Sequence, residues 1–137
     1  MRELNTEQVC KLLNDIVELE MAGVVRYAHS SLMVTGPNRI PIVAFLQEQA
    51  NESLQHALQA GEYITGFEGH PSQNISHIEE NHNHSVHQIL QESLEHEMKA
   101  VEKYKELLDE VADASIMLEE YARGQIGMEE QHALEIR

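Results

Sequence analysis

An all-α bundle of four long helices is the fold class this sequence predicts, on three observations. Apolar residues recur at three- and four-residue steps along four separate stretches, the signature of amphipathic helices. The breaks between them are short, long and short in turn, as in two antiparallel helix hairpins joined by a long crossover. The chain has no Trp, only 2 Phe and 3 Pro, a composition that leans towards helices. All 137 residues are expected to form one domain, large enough to bury a core without staples.

The first helix is predicted from "NTEQVCKLLNDIVELEMAGVVRYAHSSLMV", where Val9, Leu12, Leu13, Ile16, Leu19, Gly23, Val24, Tyr27 and Val34 share one face. Asn5 or Thr6 is its candidate cap. "TGPNRIP" ends it: Gly36 and Pro37 are a stop signal, and Pro41 suits the first turn of the next helix. That second helix should run from about Ile40 to Thr65, with Ile42, Phe45, Leu46, Leu54, Ala60, Tyr63 and Ile64 inward. From Gly66 to Asn81 the text "GFEGHPSQNISHIEEN" loses periodicity and collects Gly, Pro, Ser and Asn, as a long connection does. A third helix is expected from about His82 to Glu110, with Val86, Leu90, Leu94, Val101, Tyr104, Leu108 and Val111 in near-heptad register. The fourth should run from about Asp113 to the end, with Gly124 and Gly127 weakening its middle.

Charge narrows the function classes. The chain has 24 acidic against 9 basic residues, a formal net charge of -15, and nine histidines. A surface of this sign repels nucleic acid and anionic membrane, and neither is an expected partner. Metal cations suit it better. The one cysteine, Cys10, has no intramolecular partner for a disulfide, and "MRELNTEQVC" carries no apolar segment of a secretion signal. No apolar run approaches the roughly 18 residues of a spanning helix. The cytoplasm is the expected location.

Two carboxylates then stand on the wrong face. Glu20 lies four residues after Ile16 and seven before Tyr27, on the apolar stripe of the first helix. Glu97 repeats this on the third, seven residues from Leu90 and from Tyr104. Glu18 and Glu95, two positions earlier and roughly 160° away, are expected to be ordinary solvated carboxylates. An unpaired buried carboxylate costs several kcal/mol, so an inward Glu implies a cation or a proton.

The halves also echo one another. "EMAGVVRY" at 20–27 and "EMKAVEKY" at 97–104 are offset by 77 residues, and the same offset carries Glu52 onto Glu129. "QHAL" occurs twice and carries the histidine pair His56 and His132, but here the offset is 76. Glu129 therefore stands three residues before its His, whereas Glu52 stands four before, with Ser53 in the third place. Each half contributes one inward Glu from its first helix and a Glu plus a His from its second. Glu from two helices and Glu-x-x-His from the other two is the ligand pattern of carboxylate-bridged dinuclear sites. Residues three apart share a helix face, so carboxylate and imidazole reach one ion while the carboxylate bridges to the next. Four carboxylates and two neutral imidazoles balance two divalent ions in charge.

Over essentially its whole length the sequence resembles the ferritin-like superfamily, and within it most nearly the bacterioferritins. "LNDIVELEMAGVVRYAHSSLM" resembles the bacterioferritin first helix and "ESLQHA" the ligand region of the second. The resemblance implies a di-iron site in which Glu20 and Glu97 are terminal carboxylate ligands, Glu129 a bridge, and His56 and His132 terminal imidazoles, with Tyr27 and Tyr104 beside them. It departs at the other bridge: the family position falls on Ser53. Glu52, about 40° from His56 on a straight helix, is the expected substitute, directly or through a π-bulge; a site lacking that bridge, with Glu52 solvated and Ser53 inward, is the alternative. Bacterioferritins place a haem-ligating Met directly after the second-helix Glu, where this chain has Ser53 or Leu54, so no haem is expected.

The implied activity is binding two iron ions, with manganese the alternative metal, and oxidising Fe(II) with dioxygen or peroxide for storage or detoxification. The competing readings are a di-iron or di-manganese peroxidase, catalase or oxygenase, and a non-catalytic metal-binding helical protein. Structural readings compete too: Glu20 and Glu97 as a partly exposed oligomer edge, His56 as a hydrogen-bonded core histidine, Tyr27 and Tyr104 as core aromatics, and Met21 and Met98 as packing residues. His77, His82, His84 and His87 are expected to belong to a solvated crossover rather than a metal-uptake site. The sequence ends five residues after His132, so no fifth helix is expected and a homodimer is preferred to a larger assembly.

Overall fold

A computed structural model describes residues 2–80 and 82–136, with only the backbone of Ile136. It consists of α1 (Thr6–Met33), α2 (Arg39–Gly66), α3 (Val86–Val111) and α4 (Ile116–Ile136), with no strand among the described residues. The hairpins are α1/α2 and α3/α4, and α1 packs on α3 to join them. Asn81 and Arg137, the expected ends of the crossover and of the last helix, lie outside the described residues.

Local chemistry sets the helix ends. Asn5 Oδ1 accepts from the Gln8 N–H at 3.1 Å and caps α1. Helix α3 starts at Val86, four residues later than the sequence suggests. His82 is in the left-handed region (φ 59), and Ser85 Oγ accepts from the Gln88 N–H at 3.2 Å as the true cap. Helix α4 likewise starts after Asp113 (φ 61), with Ser115 Oγ accepting from the Leu118 N–H at 3.2 Å. Ahead of α1, the Arg2 guanidinium donates to the Asp109, Glu110 and Ala112 carbonyls, which the end of α3 leaves without helical partners. Gly124 and Gly127 do not interrupt α4.

The first part of the crossover, 67–80, lies along α1. Glu18 holds it: its carboxylate accepts from Ser72 Oγ at 2.6 Å and its carbonyl from the Ser76 N–H at 3.1 Å. Asn14 adds a bond to the His70 carbonyl and one from the Ser72 N–H. Glu18 is thus half-buried and structural, a correction to its reading as a solvated carboxylate, whereas Glu95 is exposed as expected.

Two apolar clusters fill the bundle. One gathers Val9, Leu13, Ile16, Ile64, Tyr104, Leu107 and Leu118; the other gathers Tyr27, Val34, Leu46 and Ile89. Glu20 on α1 falls between them in sequence, after Ile16 and before Tyr27, and so do Glu97 on α3, after Ile89 and before Tyr104, and His56 on α2, after Leu46 and before Ile64. The inward polar groups therefore occupy a mid-bundle layer with dry packing on either side.

Candidate metal centre

Glu20, Glu97 and Glu129 are among the most deeply buried side chains of the bundle, at 2%, 3% and 2% exposure. Helix periodicity puts each on the stripe that α1, α3 or α4 must bury, so the carboxylates enter the core with the apolar residues around them. The partly exposed oligomer edge is not where Glu20 and Glu97 lie.

Their partners cross between the hairpins. Tyr27 Oη on α1 donates to Glu97 Oε1 on α3 at 2.6 Å, and Tyr104 Oη on α3 donates to Glu20 Oε2 on α1 at 2.9 Å. The two tyrosines are core aromatics and hydrogen-bond donors at once. Burial, with the charges of Glu129 and Glu20, pushes the Tyr27 phenol up; burial and Glu20 do the same to Tyr104. Both therefore stay protonated donors.

Around this frame the structure assembles two groups that share Glu129. In the first, His56 Nδ1 stands 2.8 Å from Glu20 Oε2 and 3.2 Å from Glu129 Oε1. In the second, His132 Nδ1 is 4.0 Å from Glu97 Oε2 and 3.9 Å from Glu129 Oε2. Within each group, Glu20–His56–Glu129 and Glu97–Glu129–His132, one donor atom per residue lies within 4.8 Å of the others, close enough to surround one ion.

Electrostatics carries the mark of that crowding. Burial raises the Glu20 carboxyl, opposed by the hydrogen bond from His56 and reinforced by the charge of Glu129. Burial works against a charged His56, yet hydrogen bonds to Glu129 and Glu20 outweigh it and push the imidazole up to about 10. Without a metal the group therefore holds a proton in its place. Glu129 Oε2 is buried and has no hydrogen-bond partner, a lone pair for which a cation lying between the two groups is the natural complement. The donor set thus fits a pair of metal ions.

The remaining predicted residue sits apart. Glu52 is at the rim, its side chain 36% exposed, and meets His132 at 3.3 Å through Nε2, the ring nitrogen opposite the one facing Glu97 and Glu129. Ser53 is the buried one, at 5%. Helix geometry explains the split: positions three and four residues before His56 lie about 100° apart, and the three-back position, Glu129's counterpart, is the serine.

Beside Ser53 is a residue the sequence reading passed over. His96 is 4% exposed, packs edge-on against Tyr27 at 5.6 Å, and its buried Nε2 has no hydrogen-bond partner. Gly23 makes room: a Cβ there would stand 2.6 Å from His96 Nε2 and 2.9 Å from Ser53 Oγ. Burial, then Arg26 and Lys99, lower the imidazole to about 4, so it is neutral. A signal was available, because "ESLQH" at 52–56 recurs as "ESLEH" at 92–96.

The Ferritin-like domain family matches residues 10–137. The chain belongs to the ferritin-like family. Solved ferritin-like structures superpose on it closely. A ferritin-like diiron-carboxylate protein from Bacillus anthracis str. Ames is 20% identical, with TM-score 0.89 over 96% of this chain and 94% of that one. The bacterioferritin-related dodecameric thioferritin of Bacteroides fragilis is 19% identical, with TM-score 0.87 over 98% and 84%. Rhodobacter capsulatus bacterioferritin is 20% identical, with TM-score 0.83 over 95% and 81%. At these identities the likeness is one of fold. No curated protein sequence matches the chain. Among the described residues no helix is long and apolar enough to cross a membrane.

Proposed function

We propose that this ferritin-like protein binds two Fe(II) ions between its four helices and couples their oxidation to dioxygen or peroxide, for iron storage or detoxification. The observation that carries the reading is the pair of buried carboxylate–imidazole groups sharing Glu129. Glu20 and His56 would hold one ion, Glu97 and His132 the other, and Glu129 both. Glu52 would supply the sixth ligand from the rim, through its place against His132. When bound, ferrous ions supply the electrons that reduce the oxidant. Carboxylate-rich ligation favours the hard ferric product. Manganese is the alternative metal on the same donors, and haem has no part in the proposal.

The protein's own contribution is orientation and exclusion. Tyr27 and Tyr104 fix Glu97 and Glu20 across the hairpins, which sets the spacing between ion positions before any ion arrives. The apolar clusters on either side keep bulk water from competing for the donors. Storage further requires copies of the chain to enclose a volume, and the dodecamer named for the B. fragilis relative supports an assembly larger than a dimer.

Aerobic Fe(II) added to metal-free protein should oxidise faster than in buffer, and Glu97→Ala and His132→Ala should each remove the acceleration. Oxidation kinetics unchanged in both variants would sink the proposal.

A further inference from the structure

A second constellation of metal-binding side chains lies on the flank of the bundle. His29 stands nine residues after Glu20 on α1, about 14 Å along the helix axis, and meets the crossover instead of the interior. Its Nε2 is 2.6 Å from Glu80 Oε2. His84, four residues after Glu80, brings its own Nε2 to 3.8 Å from the other oxygen, Oε1. The two imidazoles are T-shaped to one another with centroids 5.7 Å apart. One donor atom from each of His29, Glu80 and His84 lies within 4.8 Å of the other two.

The carboxylate is prepared for the part. The His82 backbone N–H donates to Glu80 Oε1 at 2.8 Å and fixes its orientation. That bond, and after it the one from His29, hold the Glu80 carboxyl below the usual range. Next to the three residues is a cavity of about 230 Å³, also lined by Arg26, Glu79 and Glu92, with room for water on the open side. Arg26 pairs with Glu92 at 3.9 Å, so the one cation of that wall already has a carboxylate beside it.

Two imidazoles and one carboxylate with open positions filled by water suit a borderline divalent ion of the Zn(II) or Fe(II) kind; a hard ion such as Mg(II) prefers an all-oxygen cage. We infer that His29, Glu80 and His84 form a separate mononuclear site for such an ion, and that the bound ion ties the crossover to α1. This assigns to His84 the metal role that the sequence reading withheld from the crossover histidines, and adds His29, which no spacing relates to it. The competing reading is a His29–Glu80 hydrogen bond that tethers the crossover with no metal.

The test is Zn(II) titration of the full chain by calorimetry, with bound metal counted by native mass spectrometry. In a His56→Ala/Glu129→Ala/His132→Ala background, which removes both interior imidazoles and the carboxylate that the two interior groups share, a bound equivalent should survive. Adding His84→Gln or His29→Gln should weaken that equivalent at least about tenfold, the lower end of what loss of even a supporting group costs a metal site. Both histidines are on the surface side of the fold, so circular dichroism should be unchanged. If the interior variant fails to fold, native protein is compared with His84→Gln alone, which should bind one Zn(II) fewer. No surviving equivalent, or one indifferent to both histidine substitutions, overturns the inference in favour of the plain tether. Loss of the flank site together with intact iron oxidation in His84→Gln would leave the dinuclear proposal standing; failure of Glu97→Ala to slow oxidation, with flank binding retained, would sink that proposal and spare this one.

Discussion

The two halves of the candidate centre are built from echoed sequence, yet they close to different degrees. Around His56 the contacts are short, 2.8 Å to Glu20 and 3.2 Å to Glu129. Around His132 they are 4.0 Å to Glu97 and 3.9 Å to Glu129. The first half has a buried serine where the second has a buried glutamate, and its own glutamate, Glu52, is displaced to the rim beside the second half's histidine. One residue of slip between "QHAL" copies thus turns a fully buried carboxylate into a partly exposed one that keeps only Oε2 buried, towards His132. The shared Glu129 is left as the single carboxylate reaching both groups.

If sharing is what matters, Glu129 and Glu52 should differ sharply as mutation targets. Glu129→Ala removes a donor from both groups and should slow aerobic Fe(II) oxidation at least about 100-fold, with binding of both ions impaired. Glu52→Gln removes only a rim contact to His132 and should cost about tenfold or less, confined to the second ion. Stopped-flow oxidation and metal counting on the two variants decide it. Equal losses would mean that Glu52 serves both ions.

The closed half also predicts how metal binding responds to pH. Glu20 and His56 are both raised, His56 to about 10, so at neutral pH the metal-free pair retains a proton that an arriving ion must displace. The sign follows directly: apparent affinity rises with pH towards about 10 and falls in acid, by about tenfold per pH unit for each proton displaced. Calorimetry of Zn(II) binding in buffers of different ionisation enthalpy should report proton release at pH 7. Glu20→Gln should reduce the release, whereas Glu52→Gln should leave it unaltered. Proton release that is absent in the native chain would show that the pair is not protonated as its geometry implies.

Much of this could be read before any coordinates, for reasons specific to the elements concerned. The four helices announce themselves because apolar residues at three- and four-residue steps have no other economical reading, and Gly36, Pro37 and the Gly-, Ser- and Asn-rich crossover break them cleanly. Helix starts were less legible. His82 and Asp113 adopt left-handed backbone, a local preference that polar residues reveal only weakly in sequence, and the caps fall to Ser85 and Ser115 beyond them. Glu20 and Glu97 were legible as polar residues on apolar stripes, Glu129, His56 and His132 through the echo between the halves, and the structure gathers all five. Glu52 was the hard case, because positions three and four before a histidine differ by about 100° of rotation and only packing says which one turns inward. His96 was lost among Glu-rich text, its place made by Gly23 on another helix. The flank cluster was out of reach, since His29 and His84 belong to segments that no periodicity connects.

The smallest expected effect concerns a feature in which the halves are alike, the crossed tyrosines. Each hydrogen bond to a carboxylate is worth about 1.5–3 kcal/mol when its acceptor is charged. Tyr27→Phe leaves Glu97 Oε1 without its donor, and Tyr104→Phe leaves Glu20 Oε2 with His56 still 2.8 Å away. The metal-free protein should therefore lose more stability from Tyr27→Phe than from Tyr104→Phe, by about 1 kcal/mol, because an unpartnered buried carboxylate oxygen is the dearer outcome. Urea denaturation of the two metal-free variants checks this. Saturating Zn(II) should shrink the gap, since a cation gives Glu97 a new partner whether or not Tyr27 is present. A gap that persists with metal would place the difference in the packing of Tyr27 against His96 instead of in the carboxylates that the tyrosines hold.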